Sequence, residues 1–467
     1  MPVDTKNKLA IQRGKAIKKV RDFMGGRETA LPYVRELPGH KDDPTTADAY
    51  RNAASYLNVT EKTLKGFTGA IMNPSPNVSD KPSGFDEFLE DMTNDGEPFE
   101  RIAQKLVSEV IAAGRCGILV DFPKAPEDAN RTEAIDIAMG LRSYARLYQA
   151  EDILDWRVGM VGGRAMLTHI RLQETESIID PKDEFAEKSV DQIRVLDLIE
   201  GAYQVRLYRT KPKSSSGLTS KSGDASAKYE LFDEYFPKKR DGSRLEYIPF
   251  ITAGPESLDP RIFPKPPLED LVDLSCDHLQ NSASHEWALR WLGSPTLVIA
   301  GRPAVDDEGK MRPIRIGSPN GIILGEGSTA EILSLGAEGV GGISSAMERK
   351  ERQMAAIGAR MIMIDGGSGQ ISHETERLRR AGEHSTLAGI SQACSDALTQ
   401  ALRIMAEWEG KDDDKIKVEC NKDFLPVGLQ TGELTEWVGA LQTGSIPLQV
   451  FVSRLKDRGV LDGEMDE

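Results

Sequence analysis

Residues Met363–Leu378 read MIDGGSGQISHETERL, and the fold turns on what this stretch is. A phosphate-binding P-loop needs G-x-x-x-x-G-K-[ST], with a lysine for the phosphates and a hydroxyl for the metal, set between a strand and a helix. DGGSGQIS has neither the lysine nor the spacing, and a helical pattern rather than a strand precedes it. It therefore reads as a connection between two helices, in which glycine supplies backbone freedom at the cost of local order. A connection of this kind acquires a function when it projects into something.

The helices on either side give it context. Upstream, a helix is expected from Ile343 to Met363, with Met347, Met354 and Met361 seven residues apart as its core stripe. The preceding GVGGISS reads as an ordinary helix start capped by Ser344 or Gly342, whose N–H groups face an anion only in a less favoured reading. Downstream, Leu387, Cys394, Ala401 and Trp408 form one heptad series and Ile390, Ala397 and Ile404 another, ending at EGKDDDK. Further upstream, a helix from Leu268 to Leu292 is separated from the Ile343 helix by a β-rich insert, Ser294 to Gly336, with SPTLVIAG, PIRIG, GIILG and AEILSLG as strands. Two helices bracketing an independent module make a stalk with a foot. Trp287, Trp291 and the methionine stripe need cover, for which neighbouring copies of the chain are the expected source.

The first half divides in two. Met1–Asp48 reads as an arm with a short helix. Tyr50, Ala53, Leu57, Thr60, Leu64, Phe67 and Ile71 predict one amphipathic helix stopped by NPSP. A second helix carries Phe99, Ile102, Leu106, Val110 and Ala113, with Gly114 as its C-cap. CGILVDFP reads as a buried strand, followed by a polar helix-loop. From Ile153 the period becomes two, and AMLTHIRLQET, IRVLDLIEG, AYQVRLYRT and KYELFDEYFP predict an antiparallel sheet interrupted by the low-complexity KPKSSSGLTSKSGDASAK. KIKVEC is a further strand, and helix is expected again from Leu434. The class is α+β.

Composition narrows the function. Acidic residues outnumber basic ones 74 to 59, a formal net charge of -15, which disfavours tight nucleic-acid binding by a single copy. The 4 cysteines (Cys116, Cys276, Cys394, Cys420) include no C-x-x-C pair, suiting a reducing cytosol and arguing against a zinc ribbon. No apolar run is long enough for a membrane helix, and MPVDTKNKLAIQRGK lacks a signal core. His278 and His285 lie two turns apart, where helical zinc pairs sit three or four residues apart. HEWAL and HETER lack a second histidine, so no metal is expected. No G-x-S-x-G occurs, and the Asp412–Asp414 run reads as a solvated face. No catalytic residue and no cofactor are assigned.

YQAEDILDWRV, AAGRCGILVDFP, KPPLEDLVDLSCDHLQNSASHEWALRWLGSPTLVIAG and ETERLRRAGEHSTLAGISQACSDALTQALRIMAEWEG, taken in order, carry a resemblance to the portal proteins of tailed bacteriophages, the head-to-tail connectors. The resemblance implies a ring, usually of twelve subunits, around a channel for double-stranded DNA. By position it implies an N-terminal arm over residues 1–48, a wing over 49–267, a first stem helix over 268–293 and a clip over 294–342. A second stem helix (343–363), a tunnel loop (364–372), a long helix (373–410) and a wing return with crown-like helices (411–467) complete it. Asp365, Gly366, Gly367, Ser368, Gly369 and Gln370 would face the DNA, Arg377, Arg379 and Arg380 would form a basic belt behind them, and Arg302, Arg312, Arg315 and Asn320 would meet the tail adaptor. The implied partners are the terminase large subunit, a head-completion or tail adaptor protein, and the major capsid and scaffold proteins. The implied location is the portal vertex of the virion, with host cytoplasm during assembly. The alternatives are a soluble α+β nucleotide-binding enzyme with an unrecognised site, and a virion adaptor without a channel.

Overall fold

The computed structural model describes residues 2–36, 43–124, 140–180, 183–210, 229–239, 242–293, 296–301, 327–333, 337–359, 373–411 and 415–422. Helix and sheet are mixed along the chain, an α+β arrangement.

The N-terminal region differs from the expected arm. Helix α1 spans Lys8–Met24, capped by the Asn7 side chain accepting from the Leu9 N–H, and buries Ile17, Val20 and Phe23. Arg21 anchors it by donating to Glu109 and Glu151 at 2.6–3.0 Å. The short α2 (Arg27–Ala30) and a 3-10 turn (Leu31–Tyr33) follow. The single helix expected over Tyr50–Ile71 is two: α3 (Pro44–Ala53) and α4 (Val59–Ile71). The reason is local. The Ser55 N–H donates to Ser282 Oγ at 2.9 Å, out of the helical ladder, and Asn58 restarts the helix by accepting from the Glu61 N–H. Apolar period alone does not register such a break.

After α5 (Asp86–Glu90) comes α6 (Phe99–Ala113), whose C-cap Gly114 is left-handed as expected (φ 72°). A Cβ there would lie 3.0 Å from the Lys265 carbonyl oxygen, so glycine serves both the turn and the close approach. The buried strand expected at CGILVDFP is β2 (Cys116–Asp121). It is central in a three-stranded antiparallel sheet between β3 (Tyr144–Gln149) and β9 (Phe250–Ala253). The Phe250 ring lies over Gly117, where any side chain would collide. Helix α6 and the C-terminal half of a long helix, α9 (His373–Trp408), pack on this sheet. Leu387, Ile390, Cys394, Ala397, Ala401 and Trp408 of the two heptad series are buried there, and Trp408 stacks on Phe122.

The period-two segments form a five-stranded antiparallel meander. Its strands are β4 (Ile153–Val161), β5 (Arg164–Asp180), β6 (Asp183–Ile199), β7 (Ala202–Thr210) and β8 (Tyr229–Tyr235). The short β1 (Asn77–Ser79) pairs with β12 (Lys417–Glu419), tying the helical block to the chain beyond α9. Asn421 reinforces this join by donating from Nδ2 to the Ala70 and Asn73 carbonyls. The remaining elements are α7 (Glu269–Gly293), the hairpin of β10 (Thr296–Ala300) with β11 (Thr329–Leu333), and α8 (Ala337–Met354), closed by a π-helical turn over Ala355–Ala359. Helix α8 thus begins at Ala337, six residues before the expected Ile343. GVGGISS lies inside the helix rather than at its start, so neither Ser344 nor Gly342 is its cap.

Candidate functional site

The candidate site is the pair of helices that delivers the chain to the glycine-rich segment. Ser275 Oγ of α7 donates to Met354 Sδ at 3.3 Å, His278 Nε2 lies 2.9 Å from Glu351 Oε1, and Lys350 Nζ donates to the Asp277 carbonyl at 2.9 Å. Ser275 meets Met354 while His278, a turn further along α7, meets Glu351, a turn earlier on α8, so the two helices run antiparallel. His278 and Met354 are buried between them, while Glu348, Arg349, Glu351 and Arg352 are exposed. The methionine stripe is therefore partly helix core, as its spacing predicts.

A different side of α7 is occupied from within the chain. Gln280 accepts from the Arg35 N–H at 2.7 Å and donates to the Tyr50 hydroxyl at 2.9 Å, which also lies 2.8 Å from Ser284 Oγ. Tyr50 meets the edge of Trp287, with ring centroids 5.9 Å apart at 82°. Trp287 thus finds part of its cover on α3 within the chain, a contact the sequence does not reveal because no pattern gives the crossing of α3 on α7. The side chain of Trp291 lies outside the described ones.

Of the residues singled out in sequence, Asp365, Gly366, Gly367, Ser368, Gly369 and Gln370 lie outside the described residues, as do Arg302, Arg312, Arg315 and Asn320. Arg377, Arg379 and Arg380 fall in the first turns of α9, and their side chains are outside the description. What frames the glycine segment is the π-helical turn at the end of α8 and the start of α9 at His373. The cross-helix pair His278–Glu351 is a feature that sequence reading missed. His278 stood out only through its spacing from His285, and no single-chain signal gives the register of two helices 73 residues apart.

The strongest electrostatics lie elsewhere, inside the sheets. Arg194 donates to Asp121 and to Glu174 at 2.8 Å each, Gln192 to Glu174 at 2.6 Å, and the Tyr148 hydroxyl to Glu174. Burial pushes the Glu174 carboxyl up, but Arg194, Arg146 and the Tyr148 hydroxyl outweigh it and hold it below the usual range. A second cluster joins Asp155 with Asn7 and Arg171, and Asp197 with His169 (2.6 Å) and Arg206. These groups pair with one another across strands, the pattern of a structural network, though His169 Nε2, Arg171 Nε and Arg206 Nε are buried without a hydrogen-bond partner among the described residues. Arg115 is buried with its guanidinium 3.8 Å above the Trp156 ring and 5.0 Å from that of Phe263, and it donates to the Pro260 carbonyl. Burial pushes it down to about 9.

An open groove of about 450 Å³ runs between the β4–β5 hairpin, β9, the 258–261 turn and α9. Val158, Met166, Leu167 and Ile404 line it, and its charged groups Asp259 and Arg261 are paired with each other. Among the described residues, no group of three or more His, Cys, Asp or Glu is placed to hold a metal, and no helix is long and apolar enough to cross a membrane.

Residues 267–409 match the family model described as "Domain of unknown function (DUF4055)". No curated protein matches the chain. Among solved structures, a chain of the "Virion of native gene transfer agent (GTA) particle" is 12% identical with a TM-score of 0.39, covering 95% of this chain and 96% of that one. A chain from the "Neck of native GTA particle computed with C12 symmetry" is 12% identical with a TM-score of 0.40, over 90% and 94%. One from the "Neck of empty GTA particle computed with C6 symmetry" is 12% identical with a TM-score of 0.38, over 93% of both chains.

Proposed function

We propose that this chain is a non-enzymatic portal subunit, copies of which close into a ring, twelve by the resemblance stated above, around a channel for double-stranded DNA at one vertex of a virion. The observation that carries the reading is an order of elements. Antiparallel helices α7 and α8 bracket the β10–β11 hairpin, and α8 leads through the glycine-rich segment into the 36-residue α9. In this reading α7 and α8 are the stem and the hairpin belongs to the clip that meets the tail adaptor, with Arg302, Arg312, Arg315 and Asn320 in contact. Residues 364–372 are the tunnel loop, with Arg377, Arg379 and Arg380 behind it. The wing, formed by the helical block and both larger sheets, faces outward.

The chemistry is that of a passage, not of a grip. Each phosphate neutralised by Lys or Arg adds affinity, and a channel with many such contacts would hold DNA still. A chain with a net charge of -15 repels phosphate on average and leaves the duplex free to slide. The glycine segment offers Asp365, Ser368 and Gln370 but no bulky side chain, so its part is crowding rather than a side-chain clamp. The packaging ATPase is then a separate chain, the terminase large subunit, and capsid and scaffold proteins surround the ring. Light scattering on the purified chain tests the reading. The expected mass is about twelve times the 51.3 kDa of the monomer, without nucleotide hydrolysis. A monomer at every concentration and salt, or turnover of ATP by the chain alone, would count against it.

A further inference from the structure

Charge is unevenly placed on this acidic chain. Between Met1 and Met24 there are seven basic and two acidic side chains, and between Asp86 and Glu100 seven acidic and no basic ones. In the first segment Arg21 is spent on Glu109 and Glu151, Lys18 on Asp22 and Lys19 on Asp273. Lys8 and Lys15 are exposed and without an acidic partner among the described residues. Three and four residues apart, Lys8, Ile11, Lys15 and Lys18 form one outward stripe of α1, and Ile11 in its middle is 57% exposed. In the second segment Asp86 pairs with Lys81, Asp91 with Arg142 and Glu97 with Lys105. Glu87, Glu90, Asp95 and Glu100 are exposed and unpaired among the described residues.

The two surfaces belong to elements that join α6 at different places. The acidic segment runs into its first turn at Phe99, and α1 is tied to it at Glu109, about 15 Å further along the axis at 1.5 Å per residue. They do not neutralise each other within the molecule. Two complementary patches at separate places on one chain are the requirement of a heterologous contact, in which the front of one copy meets the back of the next and a ring forms when the rotation closes. An apolar side chain at the centre of a lysine stripe suits a protein face better than a phosphate backbone.

We infer that the α1 stripe (Lys8, Ile11, Lys15) of one copy docks on the acidic surface (Glu87, Glu90, Asp95, Glu100) of the next copy. The inference rests on the ring reading and assigns its subunit contact. Like charges set face to face across such a contact suppress association.

The test uses the full chain in two charge-reversed forms, Lys8→Glu with Lys15→Glu, and Glu87→Lys with Glu90→Lys. All four positions are exposed, so circular dichroism and thermal unfolding should match wild type. Mass is measured by light scattering at ~0.1 M salt, where screening extends about 10 Å. Each variant alone should show at least a tenfold lower assembled fraction. An equimolar mixture should regain the wild-type mass, because the reversed front of one then faces the reversed back of the other. If wild type assembles and either variant assembles unaided, or the mixture fails to recover, the contact is wrong while the ring survives. If wild type itself never assembles, the ring reading falls. If the lysine variant assembles normally but loses retention of a DNA fragment, the stripe belongs to nucleic acid instead.

Discussion

At the scale of single residues, the buried arginine Arg194 holds two sheets together. Asp121 lies on the three-stranded sheet and Glu174 on the meander, and one guanidinium bonds to both, with Arg146 3.6 Å from Glu174 as a second cation. Replacing Arg194 with Leu strips buried Asp121 of its guanidinium and leaves buried Glu174 with Arg146 alone, a loss of about 3–5 kcal/mol. Chemical denaturation should show it, and an Arg194→Leu protein as stable as wild type would overturn the role. The same clusters set an acid limit. Glu174 and Asp155 are buried and Asp197 half-buried, and arginines with hydrogen bonds hold them below their ordinary values of 4.5, 3.8 and 3.8. A lowered folded value means stability is complete above the ordinary value and drains as pH falls from there through the folded one. Asp152, raised by burial, opposes this trend. Melting temperature should therefore hold steady above pH 5 and drop steeply below about pH 4.5. Little of this was legible. The cap at Gly114 was, because helix end and glycine are adjacent in sequence. Asp121 and Arg194 are 73 positions apart, and alternation along a strand does not say which charged residue faces inward to a partner.

Among elements, periodicity located the meander, α6, α7 and α9 closely. It failed where a tertiary contact competes with the local pattern. Ser55 leaves the helix to meet Ser282, dividing α3 from α4, and neither residue's surroundings in sequence hint at the other. Glycine misled in the opposite direction at Gly339, Gly341 and Gly342. These read as the run into a helix capped at Gly342 or Ser344 but lie inside α8, with no neighbouring atom within 4 Å of where a Cβ would stand. Each should cost about 0.5–1 kcal/mol relative to alanine. Gly341→Ala with Gly342→Ala should therefore slow amide exchange along 337–354 and raise stability by about 1–2 kcal/mol. Faster exchange there would place the helix start at Ile343 after all. The candidate site was legible as a sequence of elements, helix, hairpin, helix, glycine, helix, but the His278–Glu351 and Tyr50–Trp287 contacts that fix it required the packing.

For the whole molecule, the claim is that the antiparallel α7–α8 pair and the glycine segment are parts of a bore that one copy cannot form. The inner sheets and α9 supply a rigid body on which that pair is carried, and the opposed charge of α1 and the 86–100 surface supplies a way for copies to follow one another around an axis. The most direct measurement is a single-particle electron-microscopy reconstruction of the assembled chain. The expected result is a closed ring with α7 and α8 lining a central opening wide enough for duplex DNA and Gly366–Gly369 at its narrowest point. A reconstruction with those four glycines on the outer rim, or with the two helices enclosed in a solitary subunit, would contradict the account.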